Sequence, residues 1–146
     1  LEGVGQMNLI ILASHGELAM GMKHTASMII GESDRIHAFS AYRDEDGPIE
    51  LQVKELVEEY YAKDDIYILT DILGGSVNTS MMQLIVSYPK IQLVSGMNLP
   101  LVISIATQTH KIAEDELCKI ITESKEAILN CSKLIKENVN EEVDDL

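Results

Sequence analysis

Three residues far apart in this chain have types that together could hold and pass on a small anionic group: His15, Asp71 and Ser76. A neutral imidazole is a nucleophile on one ring nitrogen when its other nitrogen is held as a donor, and a carboxylate is the group that holds it. Asp71 has that chemistry, and its expected role is to orient and polarise the ring. An anion added to His15 would need donors. Gly74-Gly75-Ser76-Val77 supplies them if it opens a helix, because N–H groups at a helix start have no carbonyl partner and lie at the positive end of the dipole. Gly75 permits close backbone approach, and Ser76 adds a hydroxyl. Ser14 could add another, although a serine before a glycine turn is equally well explained as a turn residue.

Each of these residues falls at the end of an apolar run. Leu9 to Ala13 is too short for a globular helix and reads as a buried strand that presents Ser14-His15-Gly16 at its tip. Ile66 to Asp71 is a second such strand with Asp71 at its tip. Ile36 to Phe39 and Ile91 to Ser95 make two more. Between them, Glu17 to Ile30 carries Leu18, Met22, Ala26 and Ile29 at helical spacing, with Gly31 where a C-terminal cap belongs. His24, on the other side of that helix, is expected in solvent. Asp44 to Gly47 reads as a turn, and Pro48 as the first residue of a helix bearing Ile49, Val53, Leu56 and Tyr60 on one face. A helix is expected over Thr79 to Val86, a short one from Leu99 through Ala106, and a continuous long one over Glu114 to Lys136 with Cys131 on its apolar stripe.

Strands alternating with helices imply an α/β fold, with a doubly wound, mainly parallel sheet, helices on both faces and a C-terminal helix. The order expected for a small domain of this kind is 2-1-3-4. Strands one and three are then neighbours whose following helices leave to opposite faces, and the crevice between their C-terminal ends is the ligand site. That order brings His15 beside Asp71 and the Gly75-Ser76 turn.

The 146 residues, 46% of them hydrophobic, suit one domain spanning 7–137, followed by an acidic tail over 138–146 expected to fray. Leu1 to Gln6 read as a cloning remnant ahead of Met7. A net charge of −13 disfavours nucleic acid, whose binding needs lysine and arginine against phosphate, and suits a basic protein partner. Cys118 and Cys131 form no metal-ligand pattern or disulfide framework, so no metal is expected. No cofactor is expected either, since neither G-x-G-x-x-G nor G-x-x-x-x-G-K-[ST] occurs. No run is long enough to cross a bilayer.

The chain resembles the IIA component of the mannose family of the phosphoenolpyruvate-dependent sugar phosphotransferase system. Three motifs in order carry the resemblance: Ser14-His15-Gly16, then Asp71-x-x-Gly74-Gly75-Ser76-x-Asn78, then Ser95-Gly96-Met97-Asn98-Leu99-Pro100. It implies that His15 is the phosphoacceptor, that it is charged by the histidine-containing phosphocarrier protein, and that it hands the phosphoryl group to a IIB component. It also implies a cytoplasmic homodimer, peripherally associated with a membrane sugar permease, acting as a phosphotransferase through a phosphohistidine. Two departures stand out: Val77 replaces a proline found in many members, and a helix is expected where family dimers can exchange a strand.

The nearest alternative is the related phosphocarrier domain of a dihydroxyacetone kinase system, which would use the same histidine. A receiver-like domain phosphorylated on Asp71 is a weaker one, because Ser14-His15 stands where such domains carry metal-binding acids. A Ser76/His15/Asp71 hydrolase triad lacks the G-x-S-x-G elbow.

Overall fold

The apolar run at Leu9 forms strand β1 (Asn8–His15), an inner member of a sheet in a computed structural model that describes residues 7–41 and 47–144. The elements that follow are α1 (Leu18–Ile30), β2 (Ile36–Ala41), α2 (Ile49–Tyr60), β3 (Asp65–Thr70), α3 (Ser76–Ser87), β4 (Gln92–Ser95), α4 (Leu99–Ala106), α5 (Glu114–Glu126) and α6 (Cys131–Asp144). All three strand pairings are parallel, and the order is β2-β1-β3-β4, as the alternation implied.

β1 is apolar without alternation because both of its faces are covered. Ile10 and Leu12 join Ala19 and Ala26 of α1, Leu101, Val102 and Ile105 of α4, and Leu117 and Ile120 of α5. Leu9, Ile11 and Ala13 join Ile49, Val53 and Val57 of α2 and Val77 and Met81 of α3 on the other face. Ile11 and Leu12 are wholly buried, which stabilises the fold by about 1.5–3 kcal/mol for each side chain. The helix after β1 packs on the first face and the helix after β3 on the second, so the crevice opens at the C-terminal ends of these two strands.

Several expected boundaries move. α3 begins at Ser76 rather than Thr79, with Gly75 as its N-cap, so Ser76 lies inside the first turn instead of ahead of it. Pro48 is the N-cap of α2 rather than its first residue. On α1 the buried residues are Ala19 and Ala26, while Leu18 and Ile29 are exposed; the two small side chains let the helix lie close to the sheet. Residues 1–6, and the turn expected at Asp44, lie outside the described residues.

The largest correction concerns the last third. The expected continuous helix is two helices, α5 and α6, broken between Ala127 and Asn130. Asn130 begins the second: its Oδ1 accepts from Lys133 N–H at 3.1 Å and its carbonyl accepts from Leu134 N–H at 3.2 Å, a side-chain cap that starts a new helix. Cys131, expected to pack on an apolar stripe, is exposed. α6 continues to Asp144, through the segment from Asn138 that was expected to fray. Among the described residues, no helix is long and apolar enough to cross a membrane.

Candidate active site

The register of β1 against β3 ends at Ala13 and Thr70, so the strand ladder stops just short of His15 and Asp71. Beyond it the two residues bond to each other instead. The backbone N–H of His15 donates to Asp71 Oδ2 at 2.9 Å, and His15 Nδ1 lies 2.7 Å from the same oxygen. Asp71 Oδ1 accepts from Ile72 N–H at 2.9 Å. Both carboxylate oxygens are thus engaged, and Asp71 grips the backbone and the ring of the same histidine.

Exposure divides the pair. The Asp71 side chain is 12% exposed and that of His15 41%. Burial pushes the Asp71 carboxyl up, but the His15 backbone N–H, the His15 ring, the Ile72 N–H and the charge on the ring outweigh it and hold the group below its ordinary value. Asp71 therefore stays a carboxylate and keeps Nδ1 as the donor nitrogen. The other ring nitrogen, Nε2, faces outward to Ser76 Oγ at 3.2 Å.

The loop between Asp71 and Ser76 has two glycines with different tasks. Gly74 has φ +81°, the left-handed region that L side chains enter at a cost. Gly75 has an ordinary backbone, and its task is clearance: a Cβ there would lie 2.9 Å from Ile72 Cγ2 and 3.3 Å from His15 Cε1. A side chain at position 75 would therefore crowd the ring. The N-terminus of α3 has no side-chain cap, and its first ladder bond runs from Thr79 N–H to the Gly75 carbonyl. The Val77 and Asn78 N–H groups precede that bond and point out of the helix start.

Ser14 has another task. It is wholly buried, and its Oγ accepts from Ala19 N–H at 2.7 Å. Strand alternation sends Ser14 to the α1 face, away from Ser76. Its hydroxyl is taken up by the first turn of α1 rather than turned toward Ser76. The third motif braces the crevice from behind. Met97 N–H donates to the Thr70 carbonyl at 3.0 Å; Asn98 Oδ1 caps α4 at Leu101 N–H, and its Nδ2 donates to the Ser124 carbonyl at 2.8 Å. Beneath the loop, Thr70 Oγ1 donates to Asn78 Oδ1 at 2.7 Å, a contact that sequence reasoning missed although Asn78 belongs to the second motif.

A histidine at a strand tip, with Nδ1 held by a carboxylate and Nε2 turned to the start of a helix, is an arrangement able to carry a small anionic group. The model of the family described as the PTS system fructose IIA component, EIIA-man, matches residues 9–122. The chain belongs to this family, and is thus a IIA component of the sugar phosphotransferase system (PTS). It is 24% identical over 127 residues to the fructose-specific EIIA component of Bacillus subtilis, covering 85% of this chain and 86% of that protein. It is 26% identical over 109 residues to the sorbose-specific EIIA component of Klebsiella pneumoniae, covering 75% and 80%. A crystal structure assigned to a phosphoenolpyruvate-dependent sugar PTS permease of Klebsiella pneumoniae superposes with a TM-score of 0.77 at 35% identity, covering 90% of this chain and 96% of that one.

Proposed function

We propose that this IIA component takes a phosphoryl group from the histidine-containing phosphocarrier protein onto Nε2 of His15 and delivers it to a IIB component. The observation that carries the reading is the division of labour on one ring, with Nδ1 held by Asp71 at 2.7 Å and Nε2 facing Ser76 at 3.2 Å. The Nε2 lone pair attacks the phosphorus of the carrier's phosphohistidine. The new N–P bond forms as the old one breaks, and the bonding pair returns to the carrier's imidazole. The Nδ1 proton stays between His15 and Asp71, whose carboxylate offsets the positive character that the ring gains. Ser76 Oγ–H, which faces Nε2 before transfer, turns to a phosphoryl oxygen, joined by the Val77 and Asn78 N–H groups. Delivery to IIB reverses these steps on a new acceptor.

Both oxygens of Asp71 are already engaged, which disfavours Asp71 itself as the acceptor of a receiver-like domain. As a member of a sugar system, the protein would act in the cytoplasm as a homodimer beside a membrane permease, and its net charge of −13 suits a basic docking partner. The test is labelling with phosphorylated carrier protein. Wild type should gain a phosphoryl group that survives alkali and is lost in acid, and His15→Ala should gain none. Undiminished labelling of His15→Ala would sink the proposal.

A further inference from the structure

The site's two halves are joined by a loop, and a buried side-chain bond spans its ends. Thr70 is the residue before Asp71, and Asn78 lies two residues beyond Ser76. The two residues are 0% and 2% exposed, and their side chains meet at 2.7 Å, Oγ1–H to Oδ1. Between them lie the carboxylate that holds the ring, both glycines and the hydroxyl that faces Nε2. The remaining polar group of Asn78, its Nδ2, lies 3.4 Å from Met82 Sδ, a weak acceptor within the same helix.

A polar pair at this depth costs desolvation that an apolar pair of similar shape would avoid, so what it contributes is direction. Residues on a helix are about 100° apart, so holding Asn78 at one angle sets the angle of Ser76 as well. The backbone N–H of Asn78 is fixed by the same constraint. Neighbouring packing supports the clamp from both sides: Val77 is buried in the core of the second face, and the Thr70 carbonyl takes Met97 N–H. Apolar contacts alone would hold α3 against the sheet while leaving it free to rotate or slide slightly.

We propose that Thr70 and Asn78 are positioning residues for phosphoryl transfer, their hydrogen bond setting the rotation of α3 so that Ser76 and the first-turn N–H groups converge on His15 Nε2. The inference rests on the phosphoryl-transfer reading above. Neither residue touches the transferred group through its side chain; both act through Ser76 and the helix start.

The test is a double-variant cycle on single-turnover transfer from phosphorylated carrier protein to the intact chain, with thermal unfolding followed alongside. Thr70→Val, which keeps the shape and deletes the donor, should slow transfer about tenfold, the scale on which a misplacement of less than an ångström acts. Thr70→Ser, which keeps the hydroxyl, should restore the rate to within about twofold of wild type. In a Ser76→Ala background only the first-turn N–H groups remain to be aimed, so adding Thr70→Val should slow transfer by about threefold, clearly less than in wild type. Should Thr70→Val not fold, Asn78→Ala, which removes the acceptor and lets the Thr70 hydroxyl turn to a backbone carbonyl, goes through the same cycle. Equal losses in both backgrounds, or a lowered unfolding temperature with an unchanged rate, overturn the clamp alone. A wild-type protein that takes no label at His15 overturns the transfer reading and the clamp's role with it.

Discussion

α1 starts three residues after the end of β1 and α3 six residues after the end of β3, both at the mouth of the same crevice, yet they are finished differently. At α1 the buried Ser14 hydroxyl takes the Ala19 N–H, closing the helix from below. At α3 the N-cap is Gly75, which has no side chain to offer, and no side-chain cap is made. One helix start takes a hydroxyl from the strand beneath it; the other has an N-cap with no side chain. Two serines of like chemistry thus divide between structure and site by their position. Ser14 alternates to the inner face of β1, while Ser76 stands in the first turn of an open helix beside His15.

Four substitutions break or sharpen this contrast. Asp71→Asn is expected to cost the most, about a hundredfold in transfer rate, because it loosens the tautomer and aim of the ring that links the two halves. It should also change acid stability. Asp71 is held below its ordinary value of 3.8, so its contribution is present above that value and is lost as pH falls through the lower folded one. Wild type should therefore lose more stability than Asp71→Asn in urea titrations between neutral and strongly acid pH. Ser76→Ala comes next, with a loss of about tenfold or more in single-turnover transfer, the effect of removing one donor aimed at developing charge, and little change in unfolding temperature.

Gly75→Ala should slow transfer by about threefold to tenfold, since the exposed Ile72 side chain can move aside whereas the His15 ring must shift from its aim. Stability should hardly change, which separates crowding of the ring from damage to the helix. Ser14→Ala should act the other way round. It leaves the Ala19 N–H without its buried acceptor and should cost about 1–2 kcal/mol in denaturant unfolding, with transfer unchanged at a temperature where the variant is folded. If Ser14→Ala and Ser76→Ala slow transfer alike, the division between sealed and open helix starts is wrong.

The meeting of His15 with Asp71 was legible because parallel α/β chains have few ways to order their strands, and the commonest one puts β1 against β3. The open start of α3 was legible as two glycines followed by a hydroxyl, although its boundary was placed three residues late: Ser76 reads as a loop residue until Gly75 is recognised as the cap. The job of Ser14 was not legible. Its bond reaches five residues along the chain, past the usual spacing of a capping serine, and depends on how closely Ala19 lies against the sheet.

The break between α5 and α6 escaped notice for a different reason. Leu117, Ile121, Ser124, Ile128, Cys131 and Ile135 keep helical spacing straight across it. The Asn130 cap interrupts that pattern, and because Ile128, Leu129, Leu134 and Ile135 are exposed, no buried face discriminates one long helix from two short ones. Periodicity predicts an element well when packing enforces it, and poorly when the apolar side chains have nothing to pack against.

The half-exposed ring of His15 sits on the tip of an inner strand and is braced on its buried side. The ring meets solvent on the side away from Asp71, and a partner would approach it from there. Under the proposed function, throughput is then governed by how often the carrier and acceptor proteins collide with this surface and how quickly they part. On that proposal the same openness keeps a phosphorylated ring within reach of the next protein, held for handing on rather than sealed away.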